Sequence, residues 1–359
     1  MKTTAAVLEA IREPLRVQEL DLDAPGPGEL LVRVEAAGIC HSDLSVVDGT
    51  RPRPTPMVLG HEAAGVVEAV GPGVGDVAEG DHVVLTFVPS CGTCGECSGG
   101  RPAACGPAAA ANGEGRLLGG GRRFHRGSDD LHHHLGVSAF SQRTVVSRGS
   151  AVVIAPDVPF ATAALFGCGV LTGVGAALYT AGVRPGDSAA VFGLGGVGLS
   201  AVMGCSLAGA YPLYAIDPVP SKQALALELG ATAAFHPDEL ADTRVDHAFE
   251  AVGSARVLEA AYRATARGGN TVSIGLPHPD QVFSVPAVSI VAEARSILGS
   301  YLGSAVPQRD IPRLITLWRG GRLPVEKLQA GTLGLDAINE GFDALARGEV
   351  VRQIVTPWA

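Results

Sequence analysis

Hydrophobic and polar positions follow two different patterns along the chain. Between Ser188 and Ile216 an apolar strand (SAAVF), a glycine turn, an apolar helix (VGLSAVMGCSLAGA) and a second strand (PLYAI) follow one another. The next part repeats this alternation, with helices predicted over SKQALALELGA and SARVLEAAYRATARGG and strands over VDHAFE, NTVSIGL and RSILGSYLG. Strands that alternate with helices in this way predict a doubly wound parallel sheet.

The first 150 residues have a different pattern. Short β-rich runs such as ELLVRVEAAGI and AAGVVEAVG are broken by Gly and Pro, which predicts a mixed β barrel or sheet. A chain of 359 residues is too long for one ordinary core. We therefore expect an α/β protein with two domains.

Composition and charge exclude several classes of protein. With 47% hydrophobic and 18% charged residues the chain is not disordered, and a net charge of -9 argues against nucleic acid or an anionic membrane as the main partner. Two uncharged stretches, Val158 to Val183 and Ser188 to Ile216, are rich in small residues, so we expect them to be buried rather than to span a bilayer. The N-terminus has no sustained apolar run of the kind found in export signals, so we expect a cytoplasmic protein with reduced thiols.

Four of the seven cysteines lie in one Gly- and Pro-rich segment, CGTCGECSGGRPAAC, with the spacing C-x2-C-x2-C-x7-C. The residues are Cys91, Cys94, Cys97 and Cys105. Four thiolates around one ion form a closed zinc site that stabilises structure. An iron–sulfur cluster also takes four cysteines, but the ferredoxin-type run has a last gap of three residues rather than seven.

A second metal site is predicted from residues far apart in the chain. Cys40 in GICHSD, His61 in LGHEAAG and Cys168 in LFGCGVL provide two cysteines and one histidine, a set that catalytic zinc sites use with one position left open. Asp43 is the expected partner for the second ring nitrogen of His61, and Glu62 is placed either to approach the metal or to hold nearby groups. We expect Cys205 to fill the core, and the run of three histidines at 132 to 134 to form an ordinary polar loop.

The segment GLGGVG predicts a dinucleotide-binding turn. The glycines of the G-x-G-x-x-G pattern are Gly193, Gly195 and Gly198, with Gly196 and Val197 between them. They follow a strand and open a helix, where backbone N–H groups can hold a pyrophosphate. Asp217 ends the next strand, where a carboxylate binds the ribose 2′-hydroxyl and favours NAD over NADP, and Lys222 lies close enough to weaken that preference.

These motifs together resemble the zinc-dependent medium-chain alcohol dehydrogenase family, in particular its liver-type and thiol-dependent formaldehyde dehydrogenase branch. The likeness covers nearly the whole chain and includes GICHSD, GHE, the four-cysteine segment, GCGVLTG, VFGLGGVGLS and INEGFDALARGE. It implies a GroES-like catalytic domain over residues 1–169, to which residues 303–359 return, and a Rossmann NAD domain over residues 170–302. It also implies dimers that pair through SILGSYLG, with a tetramer as the alternative.

The resemblance assigns roles to further residues. Cys40, His61 and Cys168 match the catalytic zinc ligands, the four clustered cysteines match the structural ones, and Ser42 matches the hydroxyl that passes the substrate proton. Other matched positions are His41 and Arg352 at the cofactor pyrophosphate and Phe87, His134 and Leu135 in the substrate pocket. This chain has Ser45 where many liver-type members end the proton relay with a histidine. The arginine that binds glutathione adducts is also absent, since Pro107 to Ala111 occupy its place.

The sequence therefore predicts an NAD-dependent zinc alcohol dehydrogenase for a medium-sized or aromatic primary or secondary alcohol. Two zinc ions per chain and NAD are the expected cofactors. A formaldehyde dehydrogenase that depends on mycothiol or glutathione is the alternative within the enzymes. A zinc- and NAD-binding protein without catalytic activity is the alternative from another class.

Overall fold

The computed structural model describes residues 1–239 and 243–359, which form two compact units. The first unit contains Met1–Cys168, Val306–Arg313 and Glu326–Ala359, and the second contains Gly169–Ala305 and Leu314–Val325. The predicted domain boundaries assign all of residues 303–359 to the catalytic domain, whereas Leu314–Val325 belong to the second unit here.

The first unit is built mainly from strands. They are β1 (Lys2–Leu8), β2 (Arg16–Leu22), β3 (Glu29–Gly38), β4 (Met57–Val58), β5 (Ala63–Val70), β6 (His82–Leu85), β7 (Phe124–Arg126), β8 (Asp129–His133), β9 (Arg143–Ser147) and β10 (Ala151–Ile154), with β17 (Gln329–Leu333) and β18 (Arg352–Val355) from the end of the chain. Its helices are α1 (His41–Val47), α2 (Gly95–Ser98), α3 (Gly106–Glu114), α4 (Phe160–Leu165) and α11 (Ile338–Ala346).

Two sheets organise this unit. Strands β1, β2, β7, β8 and β4 close into a barrel, and β10, β6, β5, β3, β18 and β17 form a sheet in which β9 also pairs with β3. Leu30, Val32 and Val34 are every second residue of β3, and all three lie in one buried core, as the period of two in a strand requires. Phe342 on α11 lies in the same core, with its ring 5.9 Å from that of Phe140, so the end of the chain is part of this unit.

The second unit is a doubly wound sheet. Its strands β11 (Ala189–Phe192), β12 (Leu213–Ile216), β13 (Ala233–Phe235), β14 (Val245–Glu250), β15 (Thr265–Ser273) and β16 (Ser296–Gly299) are all parallel, in the order β13-β12-β11-β14-β15-β16. Its helices are α5 (Gly169–Gly175), a π-helical segment (Ala176–Ala181), α6 (Gly196–Ala208), α7 (Pro220–Glu228), α8 (Ala255–Ala264) and α9 (Ala287–Ala292), while α10 (Pro307–Arg319) includes residues of both units. This arrangement confirms the predicted fold class.

One predicted helix is too long. The segment SARVLEAAYRATARGG forms a helix only as far as Ala264, and β15 begins at Thr265. The Thr265 hydroxyl donates to the carbonyl of Ala261 and lies 2.7 Å from the Thr271 hydroxyl, so both threonines are satisfied inside the sheet. The two glycines at the end of this segment, Gly268 and Gly269, lie within β15, where the register with β14 shifts after Val245.

Most residues of the long uncharged stretches are buried, as expected, although Tyr211 is 71% exposed. Val158 to Val183 contains α4, α5 and the π-helical segment, and Ser188 to Ile216 contains β11, α6 and β12. Among the residues that the structure describes, no helix combines the length and the apolar character needed to cross a bilayer.

Candidate active site and metal centres

The first unit brings together the three predicted ligands of a catalytic metal. Cys40 lies between β3 and α1, His61 follows the turn at Gly60, and Cys168 lies after α4. All three residues are buried, and their ligand atoms lie within 4.8 Å of one another. The Cys168 thiol lowers the pKa of Cys40, and the charge of Arg352 lowers it further, so the thiolate that a metal requires is favoured at Cys40.

The His61 ring is oriented so that one nitrogen is left for a metal. Nδ1 lies 3.0 Å from Asp43 Oδ1, while Nε2 is buried and has no hydrogen-bond partner among the described residues. Burial alone would lower the pKa of His61, but Asp43 and Cys40 raise it to about 10, so the position at Nε2 attracts a cation. A buried, unpartnered imidazole nitrogen beside two thiols fits a zinc ion.

Asp43, in the first turn of α1, connects several parts of this site. Its Oδ2 accepts a hydrogen bond from the Cys40 N–H at 3.3 Å, and its Oδ1 accepts one from the Gly60 N–H at 3.1 Å. The same Oδ1 lies 3.0 Å from Nδ1 of His134 as well as from that of His61. Burial opposes ionisation, yet the two histidines hold the pKa of Asp43 below its usual range. This carboxylate therefore fixes two predicted metal ligands and a predicted pocket residue together.

Glu62 and Arg352 form a buried ion pair near the same ligands. Glu62 Oε1 lies 3.4 Å from Arg352 Nε, and the guanidinium also donates to the carbonyl of Ile39 at 3.0 Å. Burial would lower the pKa of Arg352, but Glu62 and the thiols of Cys40 and Cys168 raise it. The family resemblance predicts Arg352 as a cofactor contact, whereas its contacts in the structure join it to residues of the metal site.

Ser45 lies where the family resemblance predicts the end of a proton relay. Ser42 is half-buried in the first turn of α1. The Ser45 hydroxyl donates to the Ser42 carbonyl at 2.9 Å and accepts two hydrogen bonds from Arg51. Arg51 could not be predicted from the sequence, because a single arginine in a proline-rich loop belongs to no recognisable motif.

The predicted pocket residues lie against the metal site. The rings of Phe87 and His134 each meet the His61 ring edge-on, with centroids 5.6 and 5.5 Å away, and Leu135 is buried beside His134. The expected polar loop at 132 to 134 is wrong, since β8 includes His132 and His133. The His133 ring packs on Phe124 inside the barrel, because alternate residues of a strand face opposite sides.

The four clustered cysteines also converge. Their sulfurs all lie within 4.8 Å of one another, including pairs of 4.0 Å for Cys91 and Cys97 and 3.9 Å for Cys94 and Cys105. Backbone N–H groups of Thr93 and Cys94 lower the pKa of Cys91 to about 6. A cage of four thiols, one of them already favoured as thiolate, fits a tetrahedral zinc ion. Cys205, in contrast, is buried in α6 as expected.

The second unit contains the predicted glycine turn between β11 and α6. Gly193 has a φ of +92°, and a Cβ at Gly198 would lie 1.7 Å from the Gly193 carbonyl, so the turn cannot form with a larger residue there. No described atom lies within 4 Å of the place where a Gly195 Cβ would be. The first N–H groups of α6, at Gly196 to Gly198, are free of the intrahelical pattern, and this open cradle fits a pyrophosphate.

Asp217 lies at the end of β12 beside this turn. Its Oδ2 accepts a hydrogen bond from the Leu194 N–H at 2.8 Å, and its Oδ1 accepts one from the Val219 N–H at 2.9 Å. Asp217 and Lys222 both line a cavity of about 810 Å³, together with Gly193. The geometry fits the adenosine half of a dinucleotide. His41 belongs to the first unit, and its contact with a cofactor stays a prediction.

These features define a class of protein that combines a GroES-like unit with metal-ligating cysteines and a dinucleotide-binding unit. Comparison with known proteins agrees with this class. A model of the alcohol dehydrogenase GroES-like domain matches residues 26–157, and one of the zinc-binding dehydrogenases matches residues 196–319. The chain belongs to the zinc-dependent medium-chain alcohol dehydrogenase family, as the sequence motifs predicted.

Individual relatives support the same assignment. An NDMA-dependent alcohol dehydrogenase of Amycolatopsis methanolica is 40% identical, with 99% of both chains covered. An S-(hydroxymethyl)glutathione dehydrogenase of Escherichia coli is 38% identical over 99% of this chain and all of its own. The crystal structure of benzyl alcohol dehydrogenase from Acinetobacter calcoaceticus has a TM-score of 0.94 and 31% identity, with 99% of each chain covered. The predicted class of enzyme, an alcohol dehydrogenase, is confirmed.

Proposed function

We propose that this enzyme interconverts a medium-sized or aromatic primary or secondary alcohol with its aldehyde or ketone, with zinc and NAD as cofactors. The observation that carries the proposal is the buried set Cys40, His61 and Cys168, in which His61 Nε2 has no partner among the described residues and lies close to the two thiols. A site with three protein ligands leaves a position for substrate, as catalytic zinc requires.

Each residue of the site then has a definite task. Zinc, when bound by Cys40, His61 and Cys168, acts as a Lewis acid toward the substrate oxygen. Asp43 keeps the His61 ring in the orientation that leaves Nε2 for the metal. The buried ion pair of Glu62 with Arg352 places a fixed positive charge beside the thiolates, which helps to keep Cys40 deprotonated.

The proton and the hydride leave the substrate for different acceptors. The Ser42 hydroxyl, which follows Cys40 by two residues, is proposed to pass the substrate proton onward: it would accept that proton while its own proton is released toward solvent. Bound NAD supplies the hydride acceptor. The turn from Gly193 to Gly198 would hold its pyrophosphate and Asp217 its adenosine ribose, which orients the nicotinamide for transfer.

Cys91, Cys94, Cys97 and Cys105 are proposed to bind a second zinc ion. All four coordination positions would be filled by thiolates, so this ion has no place for substrate and stabilises the loop between β6 and α3.

A thiol-dependent formaldehyde dehydrogenase is the second candidate function. It is favoured by the Escherichia coli relative, whose name states that it acts on S-(hydroxymethyl)glutathione. Dependence on glutathione is disfavoured, because Pro107 to Ala111 in α3 provide no arginine for an adduct. A mycothiol adduct is not affected by that argument.

Assembly into a homodimer in the cytoplasm is also proposed, with a tetramer as the alternative. Strand β16 forms the edge of the six-stranded sheet, and its Ile297 side chain is 38% exposed. An open edge with apolar side chains is suited to pairing with the same strand of a second copy. Light scattering of the purified protein measures the number of chains directly.

The test is NADH formation from NAD+ with a panel of alcohols, with and without glutathione or mycothiol, beside a count of zinc per chain. NDMA is added as an acceptor in a parallel series, because a relative is named for its dependence on it. We expect two zinc ions and thiol-independent oxidation, with aromatic alcohols preferred over ethanol. Formaldehyde oxidation only with a thiol would establish the second candidate, and no turnover with any acceptor would refute both.

A further inference from the structure

Arg53 is a half-buried arginine in the proline-rich loop that follows α1, RPRPTP. No carboxylate of the described residues lies within ion-pair distance of it. Its Nη1 donates to the main-chain carbonyl of Asn112 at 3.2 Å, near the C-terminal end of α3. A guanidinium has five N–H groups, and one carbonyl satisfies only a small part of them. Arg53 therefore has donors available for an anion.

The contacts of Asn112 connect Arg53 with the active site. Asn112 is buried, and its Nδ2 donates to the carbonyl of Phe87 at 2.9 Å. The Phe87 ring in turn lies edge-on to His61. Asn112 Oδ1 is buried without a partner among the described residues, so a polar atom is available on the path between Arg53 and Phe87.

The surroundings of Arg53 have an excess of positive charge. At the same end of α3, Arg122 donates to the carbonyl of Glu114, and Arg116 pairs with the Glu114 carboxylate. The Glu114 carboxylate pairs with Arg116 and lies near Arg122, while the guanidinium of Arg53 bonds to the Asn112 carbonyl at the same end of the helix. This contrasts with the net charge of -9 of the whole chain and would attract an anionic group to this side of the site.

We propose that Arg53 selects substrates that carry a carboxylate at the end remote from the reacting hydroxyl. The reacting end would lie at Cys40, His61 and Cys168, the middle would pass Phe87 and Asn112, and the carboxylate would accept hydrogen bonds from Arg53. This inference rests on the proposed alcohol dehydrogenase activity. The carboxylate belongs either to the alcohol itself or to a thiol adduct such as S-(hydroxymethyl)glutathione, and the two sources share the same chemistry.

The experiment compares 4-(hydroxymethyl)benzoate with its neutral analogue, 4-(hydroxymethyl)benzamide, on the zinc-loaded enzyme with NAD+. We expect Arg53→Gln to raise KM for the benzoate about tenfold, as for loss of a charge-assisted hydrogen bond, with kcat nearly unchanged. The benzamide should keep its KM within about twofold, since it offers no charge. Arg53→Lys should retain part of the preference, and Arg16→Gln, an exposed arginine on β2, is the charge-matched control.

A third substrate, formaldehyde with glutathione, separates the two sources of the carboxylate. A KM effect of Arg53→Gln on the adduct alone would assign the carboxylate to a thiol adduct, and an effect on the benzoate alone would assign it to the alcohol. Equal effects of Arg53→Gln on the benzoate and the benzamide would mean that Arg53 only holds the end of α3, and no effect on any substrate would also overturn the inference.

Binding measurements keep this test separate from the proposed function. Calorimetric titration of the benzoate and the benzamide into the protein reports the preference even in the absence of turnover. Tighter binding of the benzoate that Arg53→Gln removes would support the inference where the activity itself fails. Turnover of neutral alcohols with no preference for the benzoate would refute the inference and leave the proposed function intact.

Discussion

Arg51 donates two hydrogen bonds to the hydroxyl of Ser45, from Nε at 3.2 Å and from Nη2 at 3.0 Å. The Ser45 hydroxyl in turn donates a hydrogen bond to the carbonyl of Ser42. Arginine stays protonated in proteins and cannot accept a proton. Ser45 lies where the family resemblance predicts the end of a relay, but its contacts are those of a residue that fixes a loop.

The first prediction separates Ser42 from Ser45. Ser45→Ala should change kcat for a neutral alcohol by no more than about twofold, whereas Ser42→Ala should lower it about a hundredfold, the usual scale for loss of a general acid or base. Steady-state rates with and without deuterated solvent make the comparison. If Ser45→Ala were as slow as Ser42→Ala, the proton would pass through Ser45 after all.

A second prediction concerns the carboxylate behind His61. Asp43→Asn should weaken zinc binding at the catalytic site about 10- to 100-fold, because Asp43 orients His61 and also accepts the N–H groups of Cys40 and Gly60. Zinc content during competition with a chelator measures the effect. Asp76→Asn, on an exposed ion pair with Arg148, serves as the control. Unchanged zinc retention in Asp43→Asn would contradict the orienting role.

The structural zinc site gives a third prediction. Cys97→Ser should remove one of two zinc ions per chain and lower the thermal midpoint, because three thiolates bind the ion less well and the loop loses its support. Cys205→Ser, which changes a buried cysteine outside both clusters, should leave both ions in place. Metal analysis of the two variants, beside thermal unfolding, decides between them. Two ions in Cys97→Ser would exclude this cysteine as a ligand.

Cofactor choice provides a fourth prediction. Asp217→Asn should raise KM for NAD+ about 10- to 100-fold and improve the use of NADP+, because a charged acceptor at the ribose is lost. Asp238 lines the same cavity but lacks the hydrogen bond that Asp217 accepts from the Leu194 N–H. Asp238→Asn should therefore change the preference between NAD+ and NADP+ little. The ratio of kcat/KM for the two cofactors is the measurement. An unchanged ratio in Asp217→Asn would place the ribose elsewhere.

The fifth prediction is a pH dependence of stability in the barrel. His125 lies 2.9 Å from both Asp23 and Asp130, and although burial lowers the pKa of His125, the two carboxylates raise it above its ordinary value. The folded protein thus binds this proton more tightly than the unfolded chain, so the stabilisation is fully present below about pH 6.5 and is lost as pH rises through the raised pKa.

His125→Asn should therefore lower the thermal midpoint more at about pH 6 than at about pH 9. The corresponding loss in free energy of unfolding should be no more than about 1 kcal/mol. Thermal unfolding at both pH values tests it. A penalty that is equal at the two pH values would show that the ring acts by packing alone.

Much of this protein could be predicted from local sequence. The glycine turn, Asp217 and the four close cysteines are within short spans of chain, where spacing limits the possible geometry. The alternation of strands and helices likewise predicted the parallel sheet, because period and length are local properties. The end of α8 was the exception, since Thr265 and Thr271 bond to each other only once β15 is in the sheet.

Contacts between distant segments were decided by the tertiary structure. Arg53 lies 59 residues from Asn112 and Arg352 is 313 residues from Ile39, and no local pattern reports such pairs. The run of histidines predicts a polar loop, and the family resemblance alone places His134 in the pocket; the register of β8 buries His133 in the barrel and leaves His134 beside Asp43. The metal-binding residue types could be predicted from the sequence, because few kinds of side chain bind a metal ion. Which other charges surround those ligands depends on how the chain packs.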